Sequence, residues 1–339
     1  APVLLVGDID RGGVFAQLYG TVALQSEEDR RRIKGVVVNK FRGDRAILKP
    51  GLKTLEELCG VPVAGVVPYL HVDIDDEDSL SERFGRDKEP RLIDIAAIRL
   101  PRISNFTDFS PFERYENVSL RYVERARDLR APDMIVLPGT KSTIADLGWL
   151  RQSGLEAAIK KKAATTVIFG ICGGYQMLGE CIEDPYGVEE GGKMRGMELL
   201  PTRTVLKKEK TRTQEEVVLP EISGVLSGLS GKKAWGYEIH MGDTKGCGEA
   251  SENKLPVVLS KGNVYGSYLH GIFDENGIAG EVIAALAEQK GISCDTGEMM
   301  DYAAFKETQY NKLADTLREY LDMDHIYSIL REARITETS

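Results

Sequence analysis

The chain has 339 residues, 42% hydrophobic and 29% charged, with a formal net charge of −9; that length favours two or three domains with separate cores. The acidic balance argues against a general nucleic-acid binder, which needs a basic face for phosphates, and no apolar run approaches the roughly 20 residues that cross a bilayer. Cysteines at 59, 172, 181, 247 and 294 show no paired metal-ligand spacing, and their odd number points to free thiols in a reducing, cytoplasmic setting.

The first ninety residues alternate apolar runs with helical stretches. VLLVG (3–7), GVVVNK (35–40) and VAGVVP (63–68) suit strands covered on both faces, as in a parallel sheet. Phe15 to Ile33 and Leu52 to Leu58 carry helix-compatible patterns between them, so the order reads βαβαβ. Asp8 and Asp10 follow the first strand. Paired carboxylates there suit Mg²⁺ or substrate orientation, with a capped or solvated turn as the plain alternative. Arg11 is a candidate partner for a substrate carboxylate, since a guanidinium pairs bidentately. Asn39 and Lys40 end the second strand, where a polar strand end is the plain alternative to nucleotide contact. The stretch Asp73 to Pro90 is acidic and polar and reads as a surface segment or linker. The chain opens directly on a strand pattern without an initiator methionine, and is expected to be a fragment.

A second α/β pattern begins at Leu92. LIDIAAIRL (92–100), MIVLPG (134–139) and TVIFGIC (166–172) are buried-strand candidates. Helices are expected at Val118–Leu129, Thr143–Trp149 and Leu155–Lys162. From Arg195 to Gly271 the sequence turns strand-like, with TRTVLKK (202–208), EEVVLP (215–220), AWGYEIHMG (234–242) and NVYGSYLHG (263–271), a half expected to complete the second sheet. Residues from Ile278 to Leu330 are helical in pattern, with packing on the second domain as the default. The domain reading is therefore 1–90, 91–277 and a helical extension at 278–339.

The strongest local signal is Gly170-Ile171-Cys172-Gly173-Gly174, at the end of a strand and before a helix. A sharp strand-to-helix turn needs small residues two before and two after a nucleophile, so that the backbone can fold beneath it. It exposes the thiol at a helix N-terminus, where positive potential favours the thiolate. The Gly173 N–H is then a candidate oxyanion donor. The plain alternative is a small buried cysteine beside unrelated glycines. A thiolate that attacks an amide needs a proton donor for the leaving ammonia. Among His71, His240, His270 and His325, His270 lies at a strand tip before Gly271, and His240 in GYEIHMG is the second candidate. Gly139, in LPGTK after the MIV strand, is a second candidate oxyanion donor.

IFGICGGYQMLG, LPGTKST and YGSYLHGIF together resemble the class I glutamine amidotransferases of the cobalamin-biosynthesis branch. LPRISNFTDF (100–109), GYEIHMG (236–242) and GDIDRGGVFAQLYGT (7–21) are similar to the cobyric acid synthase family in particular. The resemblance implies a partial P-loop-type, dethiobiotin-synthetase-like parallel-sheet domain followed by an α/β amidotransferase domain. It implies Cys172 as nucleophile and His270 as acid/base, with glutamine hydrolysed through a cysteinyl thioester. It also implies ATP and Mg²⁺ in the synthetase part, with Asp8 as a candidate Mg²⁺ ligand, Asp10, Arg11, Asn39 and Lys40 at nucleotide or substrate, and no tightly bound cofactor. The implied corrinoid substrate is adenosylcobyrinic acid a,c-diamide, amidated at its b, d, e and g carboxylates. No G-x-x-x-x-G-K-[ST] loop is present, so an N-terminal synthetase segment is expected to be missing and the chain alone to stop short of amidation. Most class I glutaminases orient the histidine with a glutamate two residues on; here Gly271 and Ile272 follow His270, and Glu238 is the candidate substitute. The cobyrinic acid a,c-diamide synthase and a catalytically silent amidotransferase-like module are the alternatives.

Overall fold

A computed structural model of the chain describes residues 1–72, 74, 89–247, 255–274, 277–294 and 302–337. The linker expected at 73–90 lies almost wholly outside them. The chain divides into two compact units, Ala1–Ile74 with Phe305–Ser339, and Asp75–Ala304.

In the smaller unit β1 (Val3–Asp8), α1 (Val14–Leu24), α2 (Glu27–Arg32), β2 (Ile33–Phe41), α3 (Lys49–Cys59) and β3 (Val63–Pro68) alternate as expected. The strands form a parallel sheet in the order β1-β2-β3. Val36, Val38 and Val66 bury one face against Val14, Leu18 and Leu55 of the helices, which is why the strand sequences are continuous apolar runs rather than alternating ones. The single helix expected over Phe15–Ile33 is instead two. Ser26 accepts a bond from Asp29 N at 3.2 Å and caps α2, and Arg30 Nε donates to the Val22 carbonyl at 3.2 Å, closing the end of α1.

The larger unit is built on a six-stranded sheet in the order β14-β15-β9-β7-β4-β6. Its members are β4 (Ile93–Ile98), β6 (Val118–Val123), β7 (Met134–Leu137), β9 (Val167–Ile171), β14 (Val258–Lys261) and β15 (Val264–Ser267); only the β14–β15 pairing is antiparallel. A two-residue pair, β5 (Ile103–Ser104) with β8 (Gly139–Thr140), lies beyond the carboxyl ends of β4 and β7. Helices α4 (Thr143–Gln152), α5 (Leu155–Lys162), α6 (Gly173–Leu178) and α7 (Ile278–Lys290) complete the unit.

Two expectations are corrected here. Val118–Leu129 is not a helix: Val118–Val123 is the edge strand β6, and Ala126–Leu129 is one 3₁₀ turn. Ser119 and Arg121 are polar, but Ser119 Oγ donates to Asp94 Oδ1 at 2.9 Å and Arg121 Nη2 reaches Asp94 Oδ2 at 2.7 Å in the interior, so the strand is buried on both faces. The strand-rich half does not simply extend this sheet. TRTVLKK and EEVVLP belong to one strand, β12 (Thr202–Val218), paired with β13 (Lys233–Gly246) in a second, four-stranded sheet with β10 (Cys181–Asp184) and β11 (Gly192–Arg195). The β12–β13 register breaks between Leu206 and Thr211, so Lys207–Lys210 bulge opposite Met241.

The helical extension expected at 278–339 also divides. Ile278, Val282, Ile283 and Leu286 of α7 are part of the larger unit's core. By contrast α8 (Tyr302–Tyr320), from Phe305 onward, and α9 (Met323–Glu337) belong to the smaller unit. There Leu317, Tyr320 and Leu321 cover the second face of its sheet at Val37, Ala64 and Val67.

Candidate active site

The carboxyl ends of β9 and β15 meet at Cys172. Its backbone sits at φ 51°, ψ −108°, a strained conformation for a residue with a side chain. The flanking glycines are forced by close approach. A Cβ on Gly174 would stand 2.0 Å from the Leu137 carbonyl oxygen, and one on Gly170 would stand 2.8 Å from the Gly174 carbonyl. The tight turn that the sequence requires is therefore formed, and Cys172 N–H donates to the Ser267 carbonyl at 2.9 Å, tying the elbow to the end of β15. The thiol points toward the Ile239 carbonyl at 3.8 Å.

His270, three residues past β15, is 1% exposed. Its Nδ1 lies 2.7 Å from Asp108 Oδ2, and the Gly271 N–H donates to Asp108 Oδ1 at 2.9 Å. Gly271 takes φ 75°, which lets its N–H turn back to the same carboxylate. The residue that orients the imidazole is thus Asp108, from the 3₁₀ segment Phe106–Arg114, and not Glu238. Glu238 Oε2 instead faces His240 Nε2 at 3.4 Å, while His240 Nδ1 meets the Gly242 carbonyl at 2.8 Å. Burial alone would lower the His270 pKa, but the Asp108 carboxylate, by charge and hydrogen bond, and Cys172 beside the ring outweigh it and raise it to about 10. Nε2 is buried without a hydrogen-bond partner, which leaves it for a reacting group.

The ring is also held by its face. Tyr237 stacks on it with centroids 5.1 Å apart, and the two backbones bridge through His270 N–H to Tyr237 O at 2.8 Å. Asn105 Nδ2 donates to the Tyr237 hydroxyl at 2.5 Å. Burial pushes that phenol up to about 12, so it stays neutral. Asn105 and Asp108 both belong to the NFTDF segment singled out in the sequence, but its carboxylate was not assigned a role there.

Gly139 lies against the His270 ring, and Gly173 lies against Thr140, the residue after Gly139. A Cβ on Gly139 would lie 3.4 Å from His270 Cε1, and one on Gly173 would lie 2.7 Å from Thr140 Cγ2. The Gly139–Thr140 strand is held by the fully buried Asp146, which accepts from Thr140 Oγ1 at 2.6 Å and from Arg102 N at 3.1 Å.

In the smaller unit, Asp8 ends β1 with Lys40 Nζ at 2.9 Å and Arg11 Nε at 3.9 Å. Its hydrogen bond to Lys40 holds the Asp8 carboxyl below its ordinary value and Lys40 above its own. Asp10 pairs with Arg42 Nε at 3.2 Å. Asn39 turns its Oδ1 onto the Lys40 N–H at 2.9 Å, and Lys40 adopts φ 62°. Among the described residues no group of three or more His, Cys, Asp or Glu side chains is placed to hold a metal, and no helix is long and apolar enough to cross a membrane.

Residues 94–278 match the family of CobB/CobQ-like glutamine amidotransferase domains, and residues 5–83 match the CobQ/CobB/MinD/ParA nucleotide binding domain. A cobyric acid synthase of Lachnoclostridium phytofermentans is 56% identical, covering 98% of this chain and 69% of its own length. One of Ruminiclostridium cellulolyticum is 54% identical, over 98% of this chain and 67% of its own. A third, of Salmonella arizonae, is 43% identical over 98% and 68%.

Proposed function

The chain belongs to the cobyric acid synthase family, glutamine-dependent amidotransferases of cobalamin biosynthesis, and on that premise we propose that its larger unit hydrolyses glutamine at Cys172, His270 and Asp108. The observation that carries this reading is a thiol on a strained elbow beside a buried imidazole whose far nitrogen is held by a carboxylate at 2.7 Å. The Cys172 sulfur attacks the side-chain amide carbon of glutamine, and the developing oxyanion turns toward the backbone N–H groups near Gly139 and Gly173. The C–N bond breaks as His270 Nε2 gives its proton to the departing ammonia. Water then adds to the thioester with Nε2 taking its proton, releasing glutamate and the thiol. Asp108 Oδ2 accepts from Nδ1 and fixes the orientation of the ring.

The ammonia serves ATP-dependent amidation of the b, d, e and g carboxylates of adenosylcobyrinic acid a,c-diamide. Asp8, at the carboxyl edge of a parallel sheet, is the residue that would hold Mg²⁺ through a hard carboxylate oxygen, and the ion would neutralise charge on phosphoryl oxygens. Lys40 and Arg11 suit anionic oxygens of nucleotide or substrate. Asp10 and Asn39 shape that edge through Arg42 and the Lys40 backbone.

Glutamate release by the chain and by Cys172→Ala tests the core of this reading. Turnover is expected to fall to background in the variant; equal release by both would overturn it.

A further inference from the structure

A two-residue strand pair is too short to hold its own register, and β5–β8 consists of Ile103 opposite Thr140 and Ser104 opposite Gly139. Both members nevertheless lead directly to the site. Thr140 N lies 3.2 Å from where a Cβ on Gly173 would stand, and Gly139 lies against the His270 ring. On the other strand, Ser104 runs into Asn105, at φ 52°, and the 3₁₀ segment that carries Asp108.

A single carboxyl group closes the open end of this pair. Asp146, fully buried, accepts at Oδ2 from Thr140 Oγ1 at 2.6 Å and from Arg102 N at 3.1 Å. Its Oδ1 accepts from Arg102 Nη1 at 3.0 Å. Thr140 Oγ1 in turn accepts from Ser142 N at 3.2 Å. Asp146 stands in the first turn of α4, and Glu189 Oε2 accepts from Ile144 N in that same turn at 3.1 Å, so the base of the clamp is itself capped. A buried carboxyl group is costly unless donors surround it. Here the donors come from the residues that frame the two short strands.

We propose that Asp146 is a positioning residue for glutamine hydrolysis. Through Thr140 it sets the place of the strand whose backbone receives the oxyanion. Through Arg102 N it anchors the chain that brings Asp108 to His270. The role rests on Cys172 as nucleophile and on the Gly139–Thr140 strand as oxyanion donor.

Steady-state glutamate release, together with the rate at which iodoacetamide alkylates Cys172 as followed by mass spectrometry, tests this in the native chain and its variants. Alkylation displaces iodide without forming an oxyanion, so it reports the thiolate and its access but not the donor strand. Thr140→Val is expected to lower kcat by about 10- to 100-fold, with KM within about threefold and alkylation within about twofold. Thr140→Ser, which keeps the hydroxyl, is expected to recover kcat to within about threefold. Asp146→Ala is expected to lower kcat at least as far as Thr140→Val. Adding Thr140→Val to it should cost no more than about twofold further, because the hydroxyl has already lost its acceptor. If thermal unfolding shows that Asp146→Ala does not fold, the Thr140 pair decides alone. A changed KM with kcat untouched, alkylation that falls in step with turnover, Thr140→Ser as slow as Thr140→Val, or losses that multiply in the double variant would overturn the proposal. Cys172→Ala reports separately: turnover retained there ends the nucleophile assignment, whereas an inactive Cys172→Ala beside a fully active Thr140→Val ends this role alone.

Discussion

Asp108 and His270 form a pair buried on all sides, and their linkage to pH follows from the imidazole's position. A histidine raised from 6.5 to about 10 in the folded chain contributes stability that is fully present below pH 6.5 and is lost as pH rises through about 10. The same proton is the one handed to ammonia, so activity and stability should share an alkaline limit. Asp108→Asn is expected to move the alkaline limb of kcat/KM to lower pH and to cut kcat by roughly 10²- to 10⁴-fold. It should also cost about 3 kcal/mol of stability near neutrality, because it leaves a buried partner unpaired. A pH–rate profile with urea unfolding at two pH values checks both; an unmoved limb would make Asp108 merely structural.

The elbow is an element-scale device, because β9, β7 and α6 converge where no side chain fits. Gly174→Ala would place a methyl 2.0 Å from the Leu137 oxygen, so it is expected to destabilise the larger unit by about 3 kcal/mol or more. Gly228→Ala, at a glycine with nothing within 4 Å of its added carbon, is expected to be nearly neutral. Thermal unfolding of the two variants side by side measures the difference. The elbow was legible in sequence because its constraint is local: five consecutive residues specify it. Asp108 was not, because it stands 162 residues before His270 and nothing local marks a carboxylate that works through a strand tip elsewhere in the chain.

At the scale of the whole molecule, the terminal helices separate by what they cover. Leu317 and Leu321 shield Val37, Ala64 and Val67 in the smaller unit, while the proposed catalytic residues Cys172, His270 and Asp108 all lie in the larger one. Replacing Leu317 and Leu321 together by alanine is expected to destabilise the smaller unit by about 2–4 kcal/mol. Glutaminase turnover at 25 °C should remain within about twofold, since these side chains pack in a core that shares no residue with the one against Cys172. Calorimetric unfolding with a parallel glutamate assay would detect either result.

By itself the sequence determined most of the alternation of strands and helices, the elbow at Cys172 and the strand-tip position of His270, because each is written in periodicity or in a few neighbouring residues. It misplaced Val118–Leu129, where a buried Arg121–Asp94 pair sets polar side chains in a strand, and it named Glu238 as the orienting carboxylate where Asp108 stands. Only the tertiary structure decided which distant groups meet: Asp108 on His270, Tyr237 on the imidazole face, and the last helices on the first sheet. Such contacts depend on how the chain closes over long separations, and no short-range spacing encodes them.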